Sequence, residues 1–487
     1  MITGPVRSLD IDSKEECPLQ LKSKISPHEA TLERVDNLSG AVNDRYRCPA
    51  DFFDFVLDGQ LSSDGGYFRL GPHTTCYGRT SSGDRAPRAE SVLQDVLREV
   101  KIHEAGLRLP FDPTEIIENL RSERYASSRR MGNIFQCLLR RLYYLLRPLT
   151  NLTVRKQIQK FQARNWRKVP FPKWPVDTSV EDICELLLLK SMEAKGVEKV
   201  PFVWFWPDGA SSCLMMTHDV ETEVGRNHCA DLMDVDDSLG IKASFQIVPQ
   251  NRYAVTQDFL ESIRNRGFGI AIQDLNHDGR LFDNKEEFLR RIKTINRYGR
   301  EYGAKGFRAA ILYRKPEWYE AFEFAFDMSI PNVAHLDPQR GGCCTVMPYF
   351  IGNVLELPVT TIQDYTLFHL LNERSIDLWK AQVEVILEKH GLMSFIVHPD
   401  YILEPDTSLV YKGLLGYLRE LSANTKIWAT LPVEVDSWWR ARSRMSVVKS
   451  GNSWRIEGDY TGRAVLAFAK NVDGKLVCEP ARAPVSV

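Results

Sequence analysis

The sequence predicts an α/β fold, a parallel sheet or (β/α) barrel over residues 206–436, with a helical region before it and a small β unit after it. Three observations point there. Beyond Trp206 short apolar runs alternate with amphipathic helical patterns, six or seven times over. The helical patterns end on glycine. Titratable residues recur just past the apolar runs, which is where barrels of this kind keep their chemistry.

The apolar runs are Cys213-Leu-Met-Met216, Ala243-Ser-Phe-Gln-Ile-Val248, Gly269-Ile-Ala-Ile-Gln273, Gly306-Phe-Arg308, Val354-Leu-Glu-Leu-Pro358 and Met393-Ser-Phe-Ile-Val397. Between them helices are predicted over Val255–Arg266, Lys285–Tyr302 and Ile376–His390, stopped by Gly267, Gly303 and Gly391. Upstream, residues 1–89 are rich in Ser, Gly, Asp and Pro and predict mostly irregular chain. From Glu90 the spacing of Val92, Leu93, Val96, Leu97 and Val100 predicts a helix; a second follows Pro113 and a third covers Met131–Leu146. The Pro170-Phe-Pro-Lys-Trp-Pro175 run reads as a linker, and Val180–Glu198 as a helix leading into the aromatic stretch Pro201–Pro207. After Ser437, Trp454–Ile456, Ala464–Ala469 and Lys475–Cys478, with a turn at Val472-Asp-Gly474, predict a small antiparallel unit. The expected division is therefore 1–89 irregular, 90–205 helical accessory, 206–436 barrel and 437–487 β tail.

Composition narrows the classes. At 487 residues and 43% hydrophobic, the chain is neither disordered nor a disulfide-built mini-protein, and it exceeds what one core fills. No window holds 18 uninterrupted apolar residues; even Cys137–Leu149 is broken by arginines. The ten cysteines lack metal-finger spacing, and the opening MITGPVRSLDIDSKEE has no basic stretch followed by an apolar one, so reduced thiols and a cytoplasmic location are expected. The formal charge of −1 conceals a belt from Arg121 to Lys168 with thirteen Lys or Arg against one acid. Its arginines interleave with Leu138, Leu139, Leu142, Tyr143 and Tyr144, a mix that suits an anionic membrane surface and makes the protein peripheral to it. Nucleic acid is not an expected partner, because no helix-turn-helix, finger or RNA-binding signature accompanies the charge.

The chemistry-bearing segments start at Met216-Thr-His-Asp-Val-Glu221, where two carboxylates at i and i+2 leave a strand and can face one centre, one as base and one as metal ligand. Gln273-Asp-Leu-Asn-His277-Asp-Gly279 sets a histidine past the next-but-one run. Arg308 closes the following run, and His398 closes the last, in Phe395-Ile-Val-His398-Pro-Asp400. His218 alternates away from Asp219 along the strand and is expected to pack rather than react. Trp204, Phe205 and Trp206 either stack a sugar ring or pack the barrel, packing being the expected role.

In their order and spacing these segments resemble the polysaccharide deacetylase family, the NodB-homology carbohydrate esterases, over about residues 209–436. That family has a first motif of the Thr-[Phe/His]-Asp-x-[Asp/Glu] kind, a second of two histidines four residues apart, an arginine third motif and a final apolar strand ending in His. Subgroups carry Thr-His-Asp-Val-acid and Asn-His-Asp-Gly, as Thr217–Glu221 and Asn276–Gly279 do. The resemblance implies a distorted (β/α) barrel and hydrolysis of an N-acetyl or similar acyl group on a sugar or glycan. It implies Asp219 as general base, Arg308 as the partner that keeps Asp219 ionised, and His398 as general acid. Glu221, Gln273 and His277 would hold a divalent metal, zinc in most of the family and manganese or cobalt in some members.

Two departures set the alternatives. Gln273 stands where the first metal histidine is expected, and a Gln carbonyl oxygen is a weak, neutral donor. Asp274 or Asp278 could compensate only if the chain turned. A non-catalytic carbohydrate-binding or scaffold protein with a degraded metal site is the rival reading, and hydrolysis of a non-sugar C–N bond a third. The residue that orients His398 is one of Asp337, Arg340 and Asp364, with Asp337 preferred.

Overall fold

The computed structural model describes residues 38–83, 85–127 and 165–481, all within one compact unit. Its centre is a nine-stranded sheet. The strands are β1 (Ser212–Val220), β2 (Ala243–Ile247), β3 (Gly269–Gln273), β4 (Gly306–Arg308), β5 (Phe326–Asp327), β6 (Tyr349–Ile351), β7 (Val354–Glu356), β8 (Leu392–Val397) and β9 (Ile427–Ala429). They lie in the order β6-β7-β5-β4-β3-β2-β1-β8, with β9 against the start of β1. Every pairing is parallel except β6 with β7. All nine residues of β1 are buried, as expected of a central strand covered on both faces.

No ladder joins β7 to β8 among the described residues. Thr360 Oγ1 donates across the gap to Leu392 O at 2.6 Å and Thr361 Oγ1 to Ser394 O at 2.7 Å, beside one backbone bond from Thr361 N–H to Ser394 O at 3.3 Å. The sheet thus curls into a barrel closed at this seam mainly by hydroxyls, and the chain leaving it delivers Asp364 beside the end of β8.

Each predicted run after Trp206 is a strand, and the predicted helices appear as Gln257–Asn265, Lys285–Glu301 and Asp377–Glu388. Thr256 and Asn284 cap the first two with side-chain acceptors. Gly267 and Gly303 take positive φ as predicted, but after the third helix His390 does so, at +55°. Gly391 is needed there for space: a Cβ would lie 2.6 Å from Val346 Cγ2.

The segments before the barrel differ from the sequence expectation. Residues 38–89, expected irregular, hold the helix Gly40–Tyr46 and the strands Phe55–Leu57, Gly66–Leu70 and Thr74–Gly78. The helix expected from Glu90 is a short turn, Val96–Glu99, followed by strands Lys101–His103 and Gly106–Leu109. Val92 is 99% exposed, so its spacing with Val96 marks no buried face. Backbone pairing of Arg69 with residues 94 and 95, Arg69 N–H donating to Gln94 O at 2.7 Å, holds this stretch extended against the local period. The third expected helix, Met131–Leu146, and most of the basic belt lie outside the described residues.

The Pro170–Pro175 run, expected as a linker, packs inward at Phe171, which stacks edge-on against Tyr125. Trp204, Phe205 and Trp206 are buried, which bears out packing over sugar stacking. The tail hairpin Leu466–Val472 and Lys475–Pro480 forms as predicted, but its first strand also pairs with Lys199–Val203. One apolar core runs from the first helix through Ser179–Lys195 and Trp204–Trp206 to Met215, Leu355, Trp438 and Ala467. No helix among the described residues is long and apolar enough to cross a membrane.

Candidate active site

Alternation along β1 turns Thr217 and Asp219 to one face and Met216, His218 and Val220 to the other. Asp219 Oδ1 accepts from Arg308 Nη1 at 3.1 Å; Arg308 Nη2 donates to Thr217 Oγ1, also at 3.1 Å. Thr217 in turn donates to Phe395 O at 2.7 Å, so β1, β4 and β8 are tied at the level of the base. Arg308 is fully buried and Asp219 4% exposed. The sequence expectation was that Arg308 holds the Asp219 carboxyl low. Burial pushes it up instead, outweighing the opposing Arg308 and His398 charges.

His398 follows β8 directly. Asp364 grips it twice: Asp364 Oδ1 lies 2.7 Å from His398 Nδ1, and Asp364 Oδ2 accepts from the His398 backbone N–H at 2.7 Å. Burial pulls the imidazole down, but the Asp364 carboxylate overrides this and holds it well above the usual histidine range. His398 Nε2 therefore points inward, 3.5 Å from Glu221 Oε1. Asp364, and not the preferred Asp337, is the orienting carboxylate. Asp337 lies off the centre, near Gln363 Nε2 at 3.4 Å, and Arg340 donates to His335 O. The sequence signal for Asp364 was only that an acid stands in the loop between the predicted run Val354–Pro358 and the predicted helix Ile376–His390.

Gln273 ends β3 level with Arg308. Its Nε2 donates to Asp219 Oδ2 and Glu221 Oε1, both at 3.1 Å, while its Oε1 is buried without a hydrogen-bond partner. His277 arrives through a turn in which Asp274 and His277 both take positive φ. Its backbone O accepts from Arg252 Nη2 at 2.7 Å. His277 Nε2 lies 2.7 Å from Glu221 Oε1 but outside hydrogen-bond direction, so it too is a buried atom without a hydrogen bond. Burial would raise the Glu221 carboxyl, yet His277 and His398 hold it well below its usual range. Asp278 pairs with Arg291 at 2.8 Å, and Asp274, whose Oδ1 accepts from Leu275 N–H at 2.7 Å, is not among the residues whose ligand atoms converge, Asp219, Glu221 and His398.

The structure thus brings all six predicted residues to one centre together with Asp364, one of the three candidates for orienting His398, and adds Tyr401, whose ring packs 4.7 Å from that of His398. His218 packs as expected, 2.9 Å from Asp236 Oδ2 and 3.1 Å from Val397 O. Asp219, Glu221 and His398 offer ligand atoms within 4.8 Å of one another. The Glu221 carboxylate, His277 Nε2 2.7 Å from it, and the orphaned Gln273 Oε1, once the amide turns over, make a donor set that fits a divalent cation. With the amide as placed, Gln273 instead sets an N–H donor between two carboxylates.

No family profile and no curated protein matches the chain. Solved structures do. A protein designated a polysaccharide deacetylase in Mycobacterium smegmatis is 16% identical over 52% of this chain and 98% of its own, with a TM-score of 0.40. Puue allantoinase is 13% identical over 48% of this chain and 92% of its own, with a TM-score of 0.39. A BA3943 mutant, a CE4 family pseudoenzyme with restored enzymatic activity, is 12% identical over 47% of this chain and 69% of its own, with a TM-score of 0.28. Polysaccharide deacetylases are thus among the solved structures that this mixed α/β, curled-sheet chain is similar to.

Proposed function

We propose that this chain hydrolyses the amide bond of an N-acylated sugar or glycan, a carbon–nitrogen bond other than a peptide bond. The observation that carries the reading is a proton donor and a proton acceptor facing one centre across Glu221: His398, held by Asp364, and Asp219, held by Arg308. Asp219 takes a proton from the attacking water; its burial raises its basicity toward the operating pH. His398, kept protonated by Asp364, gives a proton to the departing amine. Arg308 and Thr217 fix the angle of the Asp219 carboxylate. Glu221, His277 and Gln273 would hold a divalent cation, zinc or else manganese or cobalt, which supplies polarisation of the carbonyl and a more acidic water.

The test measures bound zinc, manganese and cobalt together with release of acid from N-acetylated chito-oligosaccharides. Activity in the native chain that vanishes in Asp219→Asn supports the hydrolase. One observation favours the second reading, a carbohydrate-binding or scaffold protein: the Gln273 amide N–H2 already bridges Asp219 and Glu221. Metal and activity that appear only in Gln273→His establish that reading instead. The belt Arg121–Lys168 is proposed to hold the chain at an anionic membrane face in the cytoplasm. Failure to sediment with anionic liposomes at low salt refutes that placement.

A further inference from the structure

His218 stands on β1 between Thr217 and Asp219, its ring on the far face of the sheet from the reacting centre, 5.0 Å from that of Phe245. Its Nδ1 lies 3.1 Å from Val397 O and its Nε2 2.9 Å from Asp236 Oδ2. A carbonyl only accepts, so Nδ1 carries a proton and donates it, while Nε2 and the Asp236 carboxyl hold a second proton between them. Asp236 Oδ1 accepts in turn from the Tyr411 hydroxyl at 2.5 Å. His218, Asp236 and Tyr411 are all buried. Packing against Phe245 needs only a ring, and burying two ring nitrogens is unfavourable unless both are bonded. Both are bonded, one across β1 to β8 and one to a helix.

The place of the first bond matters. Val397 and His218 face each other in the last pair of the β1–β8 register. One residue further on, the two strands present His398 and Asp219, whose ligand atoms lie within 4.8 Å of each other. The chain beyond each strand then comes back to the same imidazole. Asp236 belongs to Glu223–Ser238, the helix after β1, and Tyr411 to Pro405–Asn424, the helix after His398. His218 is therefore tied to the end of β8 and to both segments that leave the reacting centre.

We propose that His218 is a positioning residue that sets the separation of the base and the acid. Its Nδ1 bond to Val397 O fixes the end of β8, and with it His398, against the end of β1, and with it Asp219; Asp236 and Tyr411 hold the ring at the angle that makes this bond. His218 touches no reacting atom. The consequence for rate rests on the amide-hydrolase reading, whereas the clamp itself does not. A reacting group displaced by about 1 Å loses on the order of a hundred-fold in rate, so the last bond before both groups is where spacing is set.

Two amide variants separate the two bonds, because an Asn Nδ2 stands where the imidazole Nδ1 does and a Gln Nε2 where its Nε2 does. His218→Asn keeps the tie to Val397 O, His218→Gln keeps the tie to Asp236, and His218→Phe keeps neither. Deuterium uptake by the folded chain over residues 392–401 is measured beside kcat and KM for N-acetylated chito-oligosaccharides. The Gln and Phe variants should exchange about ten-fold faster at the end of β8 and lose roughly ten- to hundred-fold in kcat with KM little changed. The Asn variant should stay within about three-fold of the native chain in both. If His218→Phe does not fold, the Asn and Gln chains carry the comparison. Faster exchange in the Gln chain than in the Asn chain, with no hydrolysis by the native protein, upholds the clamp and refutes the hydrolase. Equal exchange in those two chains, or unequal exchange with equal kcat in an active protein, overturns the assignment of His218.

Discussion

Replacing Asp364 by Asn isolates the contact that makes His398 an acid. The carboxylate accepts two hydrogen bonds from one residue, at His398 Nδ1 and at the backbone N–H, each at 2.7 Å. The amide has one oxygen, so one of the two donors loses its acceptor in a buried site, at a cost of about 1–3 kcal/mol. The charge-assisted bond to the imidazolium is worth roughly 1.5–3 kcal/mol, or about one to two pH units at 1.36 kcal/mol per unit. The sign follows from the direction of the shift. Asp364 raises His398, so its removal lowers the pH at which the imidazolium is lost. The alkaline limb of the kcat/KM profile should move down by about one to two units, giving roughly ten- to hundred-fold less activity above the limb. The assay is the pH profile of amide hydrolysis from about pH 5 to 10, with circular dichroism to confirm folding. A limb that stays within about 0.3 units of its native position, in a folded variant, refutes the assignment of His398 as the acid held by Asp364.

Three further perturbations bear on the scaffold. Glu123 and Arg314 form a buried pair, with Arg314 Nε donating to Glu123 Oε2 at 2.6 Å and Gly342 N–H to Oε1 at 2.6 Å. Glu123→Ala should cost about 3–5 kcal/mol in urea unfolding, most of it recovered by Glu123→Leu with Arg314→Leu; a double variant no better than the single one would count against the pair. His390 is pulled down to about 4 by burial, so below pH 6.5 the unfolded chain takes up a proton that the folded one refuses until about pH 4. Stability should fall by up to about 3 kcal/mol across that window, and a His390→Gln chain with the same slope would exclude His390 as its source. Gly391→Ala drives a Cβ to 2.6 Å from Val346 Cγ2 and should cost about 1–3 kcal/mol by thermal melting, whereas Gly413→Ala, with open space around it, should cost nothing.

The barrel was legible because its signals are local. Alternation of short apolar runs with amphipathic helices is set by periods of two and 3.6 residues, so strand exits could be found in the chain, and with them Asp219, Gln273, Arg308 and His398. The region before it was not. The spacing from Val92 to Val100 imitates a helix, while the strand Gly106–Leu109 exists through its pairing with Phe55–Leu57, a partner no local window contains. Asp364 was one of three candidates until the hydroxyl seam of Thr360 and Thr361 carried it to His398.

The sequence by itself determined that Asp219, Gln273, Arg308 and His398 meet at the mouth of the barrel, because a strand's end and its alternation are properties of neighbouring residues. Only the tertiary structure decided their states. Burial raised Asp219 against Arg308, the Asp364 carboxylate raised His398 against burial, and Gln273 turned its amide nitrogen to two carboxylates. Those outcomes depend on desolvation and on charges brought together from residues up to 179 positions apart, in Asp219 and His398, and such sums are set only when the whole chain has closed around them.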